Sequence, residues 1–284
     1  MSNGAAILTH LRRNAGLLRR SAWEFIYPPT CPLCRANVGD AHESHVESPV
    51  EVAADSLDFC GDCRGALSQP VFARCSRCDA PVGAFLGTSR TCIHCRDDRF
   101  AFSRIISLGV YTDRLRLACI KAKQNDGRAL AMNLAELLWQ TRGADLLREP
   151  FDAAIPVPVH WWQRLFRTES AQGSIADVLA NRLRVMCDRH AVVKTRRTIP
   201  QSTLVPSKRR KNLRGAFRLR GGSVWKGRRV LLVDDVLTTG TTAHQIARLF
   251  RDARAEEIVV AVIARGLGPG FQFPSKNVTL SKKF

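Results

Sequence analysis

No stretch of this 284-residue chain is apolar for long enough to cross a bilayer, since its longest apolar runs are only strand-sized. A secretory signal is missing too. Leu8, Leu11, Leu18 and Phe25 near the start are interrupted by Arg12, Arg13, Arg19 and Arg20, whereas a signal peptide needs an unbroken apolar stretch. The expectation is a cytoplasmic protein whose residues 1–30 form a basic amphipathic leader. That leader packs its apolar stripe on the protein's own body or makes peripheral contact with a membrane surface. Acidic residues are absent from Arg189 to Val233, while Lys194, Arg196, Arg197, Lys208, Arg209, Arg210, Lys211, Arg214, Arg218 and Arg220 accumulate there. Such a segment receives an anion, either small-molecule phosphates or a nucleic-acid backbone, or else serves solubility alone. Aromatic residues make up only 7% of the chain, and among the arginines around the cysteines, Arg64, Arg74, Arg77, Arg90, Arg96 and Arg99, Phe72 and Phe85 are the only platforms for stacking bases.

Cysteine is plentiful by comparison, and its spacing is regular. Cys31/Cys34, Cys60/Cys63, Cys75/Cys78 and Cys92/Cys95 are four Cys-x-x-Cys pairs, all in the first third. Each pair offers two thiolates from one tight turn, so two pairs close one tetrahedral zinc site and eight thiols hold two structural zinc ions. The simplest assignment is Cys31, Cys34, Cys60, Cys63 and Cys75, Cys78, Cys92, Cys95, with crossed pairing open. Disulfides are the competing reading, disfavoured where no secretory signal is seen. Eight thiolates and two zinc dications bring the formal charge of +19 to +15, still strongly basic. Each ribbon is expected to be local, so that Cys78→Ser unfolds the second ribbon and spares the threonine-rich turn near residue 240. Cys119 and Cys187 fall in helical patterns and are expected in the core rather than as nucleophiles.

Toward the other end, Val230-Leu231-Leu232-Val233 runs into Asp234-Asp235-Val236-Leu237 and then Thr238-Thr239-Gly240-Thr241-Thr242. The apolar run suits a central strand covered on both faces. Ile246, Leu249, Phe250 and Ala253 keep helical spacing afterwards. A glycine-containing, hydroxyl-rich turn opening a helix cradles an anion. Two carboxylates at the strand's end accept hydrogen bonds from vicinal hydroxyls, which bare phosphate lacks. Phosphate plus diol means a sugar phosphate. The plainer alternative is a strand-turn-helix connection with a threonine cap.

The segment Val230 to Thr242 resembles the fingerprint of type I phosphoribosyltransferases, and together with the cysteine pairs it makes nearly the whole chain similar to the ComF family. The resemblance implies binding of phosphoribosyl pyrophosphate (PRPP) with magnesium, Asp234 and Asp235 holding the ribose hydroxyls and Thr238, Thr239, Gly240, Thr241 and Thr242 the 5′-phosphate. Pro156-Val157-Pro158-Val159-His160 is similar to the family's pyrophosphate loop, which makes Val157, Pro158, Val159 and His160 substrate-binding. Arg197-Thr198 and Gln201, followed by Arg210, Asn212, Gly215, Ala216 and Phe217, resembles its flexible loop, with Arg197 and Arg210 on the leaving pyrophosphate. Two segments depart from the family pattern. Thr168-Glu169-Ser170-Ala171 stands where Gly-Phe-Asn-Gln is usual, and Lys123-Gln124-Asn125-Asp126-Gly127 where Lys-Tyr-x-Gly-Asp is usual. The resemblance further implies a role in DNA uptake or nucleotide metabolism, with either a pentosyl transfer to an unknown acceptor or a non-enzymatic factor that senses PRPP or binds single-stranded DNA beside the competence machinery.

The expected organisation is a leader (1–30), a double zinc ribbon (31–99), an α/β phosphoribosyltransferase-like domain with a parallel sheet and flanking helices (100–266) and a loose tail (267–284). Ile105 to Val110, Ala153 to Val159, Val230 to Val233 and Ile258 to Ile263 read as strands. Leu130, Leu134, Leu137 and Leu138 mark one helix, and Ile175, Val178, Leu179, Leu183 and Met186 another. Asp40, Glu43, Glu47, Glu51, Asp55 and Asp58 suit an exposed loop inside the first ribbon, with His42 and His45 facing solvent.

Overall fold

The computed structural model describes residues 30–38, 59–68, 73–82, 92–159, 170–196 and 215–267. The leader apart from Thr30, the acidic loop with its two histidines, Phe72, Phe85 and the tail beyond residue 267 lie outside these residues. The chain falls into two compact units, Met1–Leu67 and Ser68–Phe284, so the division runs between the two cysteine quartets.

In the first unit, Cys31 and Cys34 sit on a turn closed by Cys31 N–H donating to Ala36 O at 2.7 Å and Arg35 N–H donating to Cys31 O at 2.8 Å. Cys60 and Cys63 sit at the start of helix α1 (Gly61–Leu67).

The second unit is built on a parallel sheet. Among the described residues its strands are β1 (Arg104–Val110), β2 (Ala153–Pro156), β3 (Met186–Cys187), β6 (Arg229–Leu237) and β7 (Glu257–Arg265), in the order β1-β7-β6-β2-β3. A separate antiparallel pair joins β4 (Val192–Lys194) to β5 (Phe217–Leu219). Helices α2 (Asp113–Lys121), α3 (Arg128–Leu146), α4 (Ala171–Leu183) and α5 (Thr241–Asp252) alternate with the strands, as parallel pairing requires crossovers. Strand alternation sorts the core. Ile105, Ala153, Ile155, Val230, Leu232, Ile258, Val260 and Val262 share a buried cluster with Ile246 and Phe250 of α5 and with Trp225. Trp225 meets the Phe250 ring edge-on at 5.1 Å.

Three details differ from the sequence pattern. β6 continues through both aspartates to Leu237, because pairing with β7 extends to Leu237 and Arg265. β2 stops at Pro156 rather than Val159. Helix α4 ends at Leu183, since Arg184 turns left-handed at φ 56° and its N–H returns to Ala180 O and Asn181 O. Met186 and Cys187 therefore belong to β3, where Met186 is exposed and Cys187 half-buried, while Cys119 is buried on α2 as expected. The departure at Ser170-Ala171 serves α4 locally, Ser170 Oγ capping it by accepting from Gly173 N–H at 3.1 Å.

The second quartet is part of this core. Cys75, Cys78, Cys92 and Cys95 are all buried and belong to the cluster formed by β6, β7 and α5, so this ribbon is not a self-contained appendage. It also covers the outer edge of β1, an otherwise unpaired strand edge. Ile105 N–H donates to Arg77 O at 2.9 Å and Ser107 N–H to Asp79 Oδ2 at 2.7 Å. Asp79, 2% exposed, receives Arg74 Nη1 at 3.1 Å and Arg142 through Nη2 at 2.9 Å and Nη1 at 3.0 Å. Removing one member of such a buried ionic group leaves the others uncompensated, at a cost of about 3–5 kcal/mol. Asp79→Ala is accordingly expected to lower the unfolding free energy of this unit by that amount, read from the denaturant midpoint. A loss below about 1 kcal/mol would show the edge contact to be incidental.

Candidate metal and sugar-phosphate sites

Each quartet gathers four sulfurs within 4.8 Å of one another, in the pairing Cys31, Cys34, Cys60, Cys63 and Cys75, Cys78, Cys92, Cys95. Sulfur–sulfur separations include Cys34–Cys60 at 3.6 Å, Cys75–Cys95 at 3.7 Å and Cys78–Cys92 at 3.7 Å. A disulfide requires about 2.05 Å. Four thiolates at a zinc–sulfur distance of about 2.3 Å stand about 3.8 Å apart at the corners of a tetrahedron, so both quartets fit zinc. The two turns share a design: Arg35 and Asp79, each directly after the second cysteine of its pair, are left-handed at φ 63° and 56°. In each, Thr30 with Asn37 or Arg74 with Pro81 forms an isolated antiparallel bridge. Burial opposes ionisation of Cys31, but backbone N–H groups of Cys34, Cys60 and Leu33 outweigh it and bring its pKa to about 7. Burial raises the pKa of Cys78, and the Cys75 charge adds to it. Burial likewise pushes Cys95 up to about 12. Burial and the neighbouring thiolate charge thus oppose full ionisation of the second quartet, and a bound dication would remove that opposition.

The sugar-phosphate candidates lie at the carboxyl end of the sheet. Pro156 is in register with Val233, and Asp234 with Val262, so the chain leaving β2 runs beside Asp234 and Asp235. Val157 N–H donates to Val233 O at 2.8 Å. Val157 and Pro158 are buried and Val159 half-buried; His160, Arg197 and Arg210 lie outside the described residues. The segment carrying those two arginines is tied at its base, where β4 pairs with β5 and Thr195 N–H donates to Ala216 O at 2.9 Å.

After β6, Thr238 is exposed, Thr239 and Thr242 are half-buried, and Gly240 and Thr241 are buried. Gly240 is the N-cap of α5 in the left-handed region at φ 69°, and no side chain caps the helix. The threonine-cap alternative is therefore not what the turn does: Thr239 and Thr241 join hydroxyl to hydroxyl at 2.8 Å. A side chain at Gly240 would meet the Phe100 ring at 3.1 Å. The turn thus depends on glycine for both its dihedral and its packing.

Asp235 is 5% exposed, and Asp234 is half-buried yet densely surrounded by protein. Asp235 N–H donates to Asp234 Oδ1 at 2.9 Å, and Val236 N–H to Asp235 Oδ1 at 2.7 Å. Burial and then the neighbouring Asp235 charge push the Asp234 pKa well above the carboxylate range. Lys123 Nζ approaches Asp235 Oδ2 at 2.6 Å. That lysine was legible only as the first residue of a departing segment. Gly127 holds the segment close, since a Cβ there would collide with Ala122 O at 2.5 Å. A second cation was missed altogether. Arg265 ends the apolar strand β7, is 4% exposed, and donates to Leu237 O at 3.1 Å, to Cys78 O at 3.2 Å and also to the carbonyls of Thr238 and Gly266. Its only sequence signal was a lone arginine closing the run from Ile258 to Ala264.

The chain is 30% identical to DNA utilization protein YhgH of Escherichia coli O157:H7 in an alignment covering 68% of this chain and 84% of that protein. The chain belongs to the ComF family. Competence protein F of Haemophilus influenzae is 26% identical to this ComF chain across 78% of its length and 95% of the relative. The phosphoribosyl transferase domain family matches residues 174–272, which include β6, the aspartates and the turn. Among solved structures, glutamine PRPP amidotransferase from B. subtilis superposes with a TM-score of 0.35 at 20% identity, over 51% of this chain and 30% of that one. The ComF chain thus joins a phosphoribosyltransferase-like domain to two cysteine quartets that can hold zinc. Among the described residues, no helix is long and apolar enough to cross a membrane.

Proposed function

We propose that this protein binds PRPP with magnesium at the end of β6 and transfers its phosphoribosyl group to an acceptor. The observation that carries the reading is Asp234 and Asp235 at the strand end, followed directly by a helix start that Gly240 leaves uncapped by any side chain. The N-terminal turn of α5, with its unpaired helix N–H groups and the Thr238 to Thr242 hydroxyls, holds the 5′-phosphate. The two carboxylates accept the ribose hydroxyls. Residues Val157 to His160 present backbone groups to the pyrophosphate. Arg197 and Arg210 neutralise the leaving pyrophosphate as positive charge grows at ribose C1, and their closure keeps water from that carbon. Magnesium rides mainly on the pyrophosphate oxygens and needs few protein ligands. The test is a PRPP titration with and without magnesium, by calorimetry. Saturable binding in the low micromolar to millimolar range that weakens when magnesium is withdrawn supports the reading, and no binding in either condition removes it.

The biological setting of this reading is DNA uptake or nucleotide metabolism, of which the relatives named for competence and DNA utilization support the first; a cytoplasmic location belongs to the same proposal. A second reading, a non-enzymatic factor that senses PRPP or binds single-stranded DNA, draws support from the acid-free segment between Arg189 and Val233. Arg74 and Arg77 do not favour DNA on the second quartet, because both guanidiniums are spent internally: Arg74 on Asp79 and Leu108 O, Arg77 on Cys95 O at 3.1 Å and Asp98 O at 2.7 Å. Single-stranded DNA is therefore expected on the segment from Lys194 to Arg220. Magnesium PRPP at saturation should weaken DNA binding several-fold, and Arg209→Ala with Arg210→Ala should weaken it by about tenfold at fixed ionic strength. Affinity unchanged by both treatments, measured by fluorescence anisotropy, would assign the segment to the transfer reaction alone.

A further inference from the structure

We propose that the second cysteine quartet sets the sugar-phosphate turn through Arg265, so that metal occupancy at Cys75, Cys78, Cys92 and Cys95 controls affinity for the phosphorylated ribose. The ligand named here rests on the PRPP reading of the turn. The mechanical link rests on geometry alone.

Arg265 reaches both sites with one rigid group. Its Nε donates to Cys78 O at 3.2 Å, while Nη1 donates to Leu237 O at 3.1 Å and to Thr238 O, the first carbonyl of the turn. A guanidinium is a planar fork with fixed spacing between its N–H groups, so the Cys78 carbonyl and the turn carbonyls are held at a set separation. Being only 4% exposed, Arg265 cannot exchange a lost acceptor for bulk water. Cys78 O is in turn fixed by its knuckle, where Cys75 N–H donates to Ala80 O and Asp79 N–H to Cys75 O, both at 2.9 Å.

The other knuckle supports the turn at Gly240. Arg77 is anchored on Cys95 O and Asp98 O and lies over the Phe100 ring at 5.4 Å. Phe100 stacks on Phe102 at 4.6 Å and presses on Gly240. Ala101 N–H donates to His244 Nδ1 at 3.1 Å, which fixes the first turn of α5. Without a cation the sulfurs have no common centre, and the carbonyls of Cys78 and Cys95 lose the positions that Arg265 and Arg77 read. The turn then loosens, although none of its own residues has changed.

Deuterium exchange of the amides that close the turn, His244 N–H donating to Gly240 O and Gly266 N–H donating to Leu237 O, both at 2.8 Å, reads this link directly in the ligand-free protein, and PRPP titration reads its consequence. Four variants are compared with the zinc-loaded native chain: Cys92→Ser, which removes a ligand; Cys92→His, which keeps a zinc-binding donor; Arg265→Gln; and Cys92→Ser with Arg265→Gln. Cys92→Ser is expected to lose one zinc, to speed exchange in the turn at least tenfold and to weaken PRPP at least tenfold. Arg265→Gln should do the same with both zinc ions retained, and Cys92→His should restore native behaviour. The double variant should be no worse than either single variant within about twofold, because both act through one connection. Native exchange in the turn of Arg265→Gln, or losses that multiply in the double variant, would overturn the proposal. Should Cys92→Ser fail to fold, the zinc-retaining Arg265→Gln decides by itself. If the native chain binds no PRPP, the ligand reading falls while the exchange data still decide the link.

Discussion

Asp234→Asn combined with Asp235→Asn is expected to weaken PRPP about 100-fold while changing the affinity for inorganic phosphate less than about twofold. Each carboxylate that accepts a ribose hydroxyl contributes a charge-assisted hydrogen bond of about 1.5–3 kcal/mol. Two at the lower end of that range make about 3 kcal/mol, or roughly two orders of magnitude in Kd. Phosphate meets only the Thr238 to Thr242 turn, so it does not sense the loss. Equal losses for both ligands, measured by calorimetry, would mean that the substitutions had damaged the turn and not removed a diol contact. The single Asp234→Asn change carries a second signature. Because the folded-state pKa of Asp234 is raised by burial and by Asp235, the group favours the folded state when protonated and costs stability once pH rises above the ordinary carboxylate range. The neutral isostere removes that cost. Asp234→Asn should raise the melting temperature at pH 7 by about 2–4 °C, the equivalent of about 1 kcal/mol in a unit of this size. The gain should vanish as pH falls to about 4, where an unfolded carboxyl protonates. Weaker sugar-phosphate binding together with greater stability would mark the residue as kept for its chemistry.

Two zinc ions per chain are expected by elemental analysis, with very different resistance to removal. Cys34 of the first quartet is exposed and Cys60 half-buried, whereas all four sulfurs of the second quartet are buried in the core of the larger unit. A chelator should therefore take the first ion and leave the second until that unit opens. Metal binding supplies about 10 kcal/mol or more of folding free energy in small zinc modules, and the second quartet passes that support to the edge of β1. Cys92→Ser is expected to lower the main thermal transition by more than about 10 °C. Cys31→Ser should leave that transition within about 2 °C of native and remove one ion. Protein prepared without chelators that held no metal, with its cysteines oxidised in pairs, would defeat the zinc assignment. Identical release rates for the two ions would defeat the distinction between the quartets.

Much of this was legible because it is local. Cys-x-x-Cys spacing is a property of one tight turn, and hydrophobic periodicity is a property of one strand or helix. The strands at Ile105 to Val110 and Ile258 to Ile263 and the buried face of Leu130, Leu134, Leu137 and Leu138 follow from period alone. Local reading failed at Met186 and Cys187, which keep helical spacing with Leu179 and Leu183. One left-handed residue, Arg184, ends the helix before them, and non-glycine residues in that conformation leave no clear trace in composition. The threonine-rich turn looked ready to cap its own helix, but the glycine takes the cap position and two threonines bond each other instead.

The sequence by itself determined the two kinds of site: eight thiols in four tight pairs, and paired carboxylates leading into a glycine turn at the head of a helix. Tertiary structure alone decided which pairs of thiols meet, because that depends on where chain segments tens of residues apart come to rest. It alone decided that Lys123 reaches Asp235, that Asp79 closes the edge of β1, and that Arg265 spans from Cys78 to Thr238. In each case a buried charge finds its partner across a separation of 27 to 187 residues, and no periodic signal extends that far. The physical reason is that burial makes an unpaired charge costly, so its partner is chosen by packing and not by nearness in the chain.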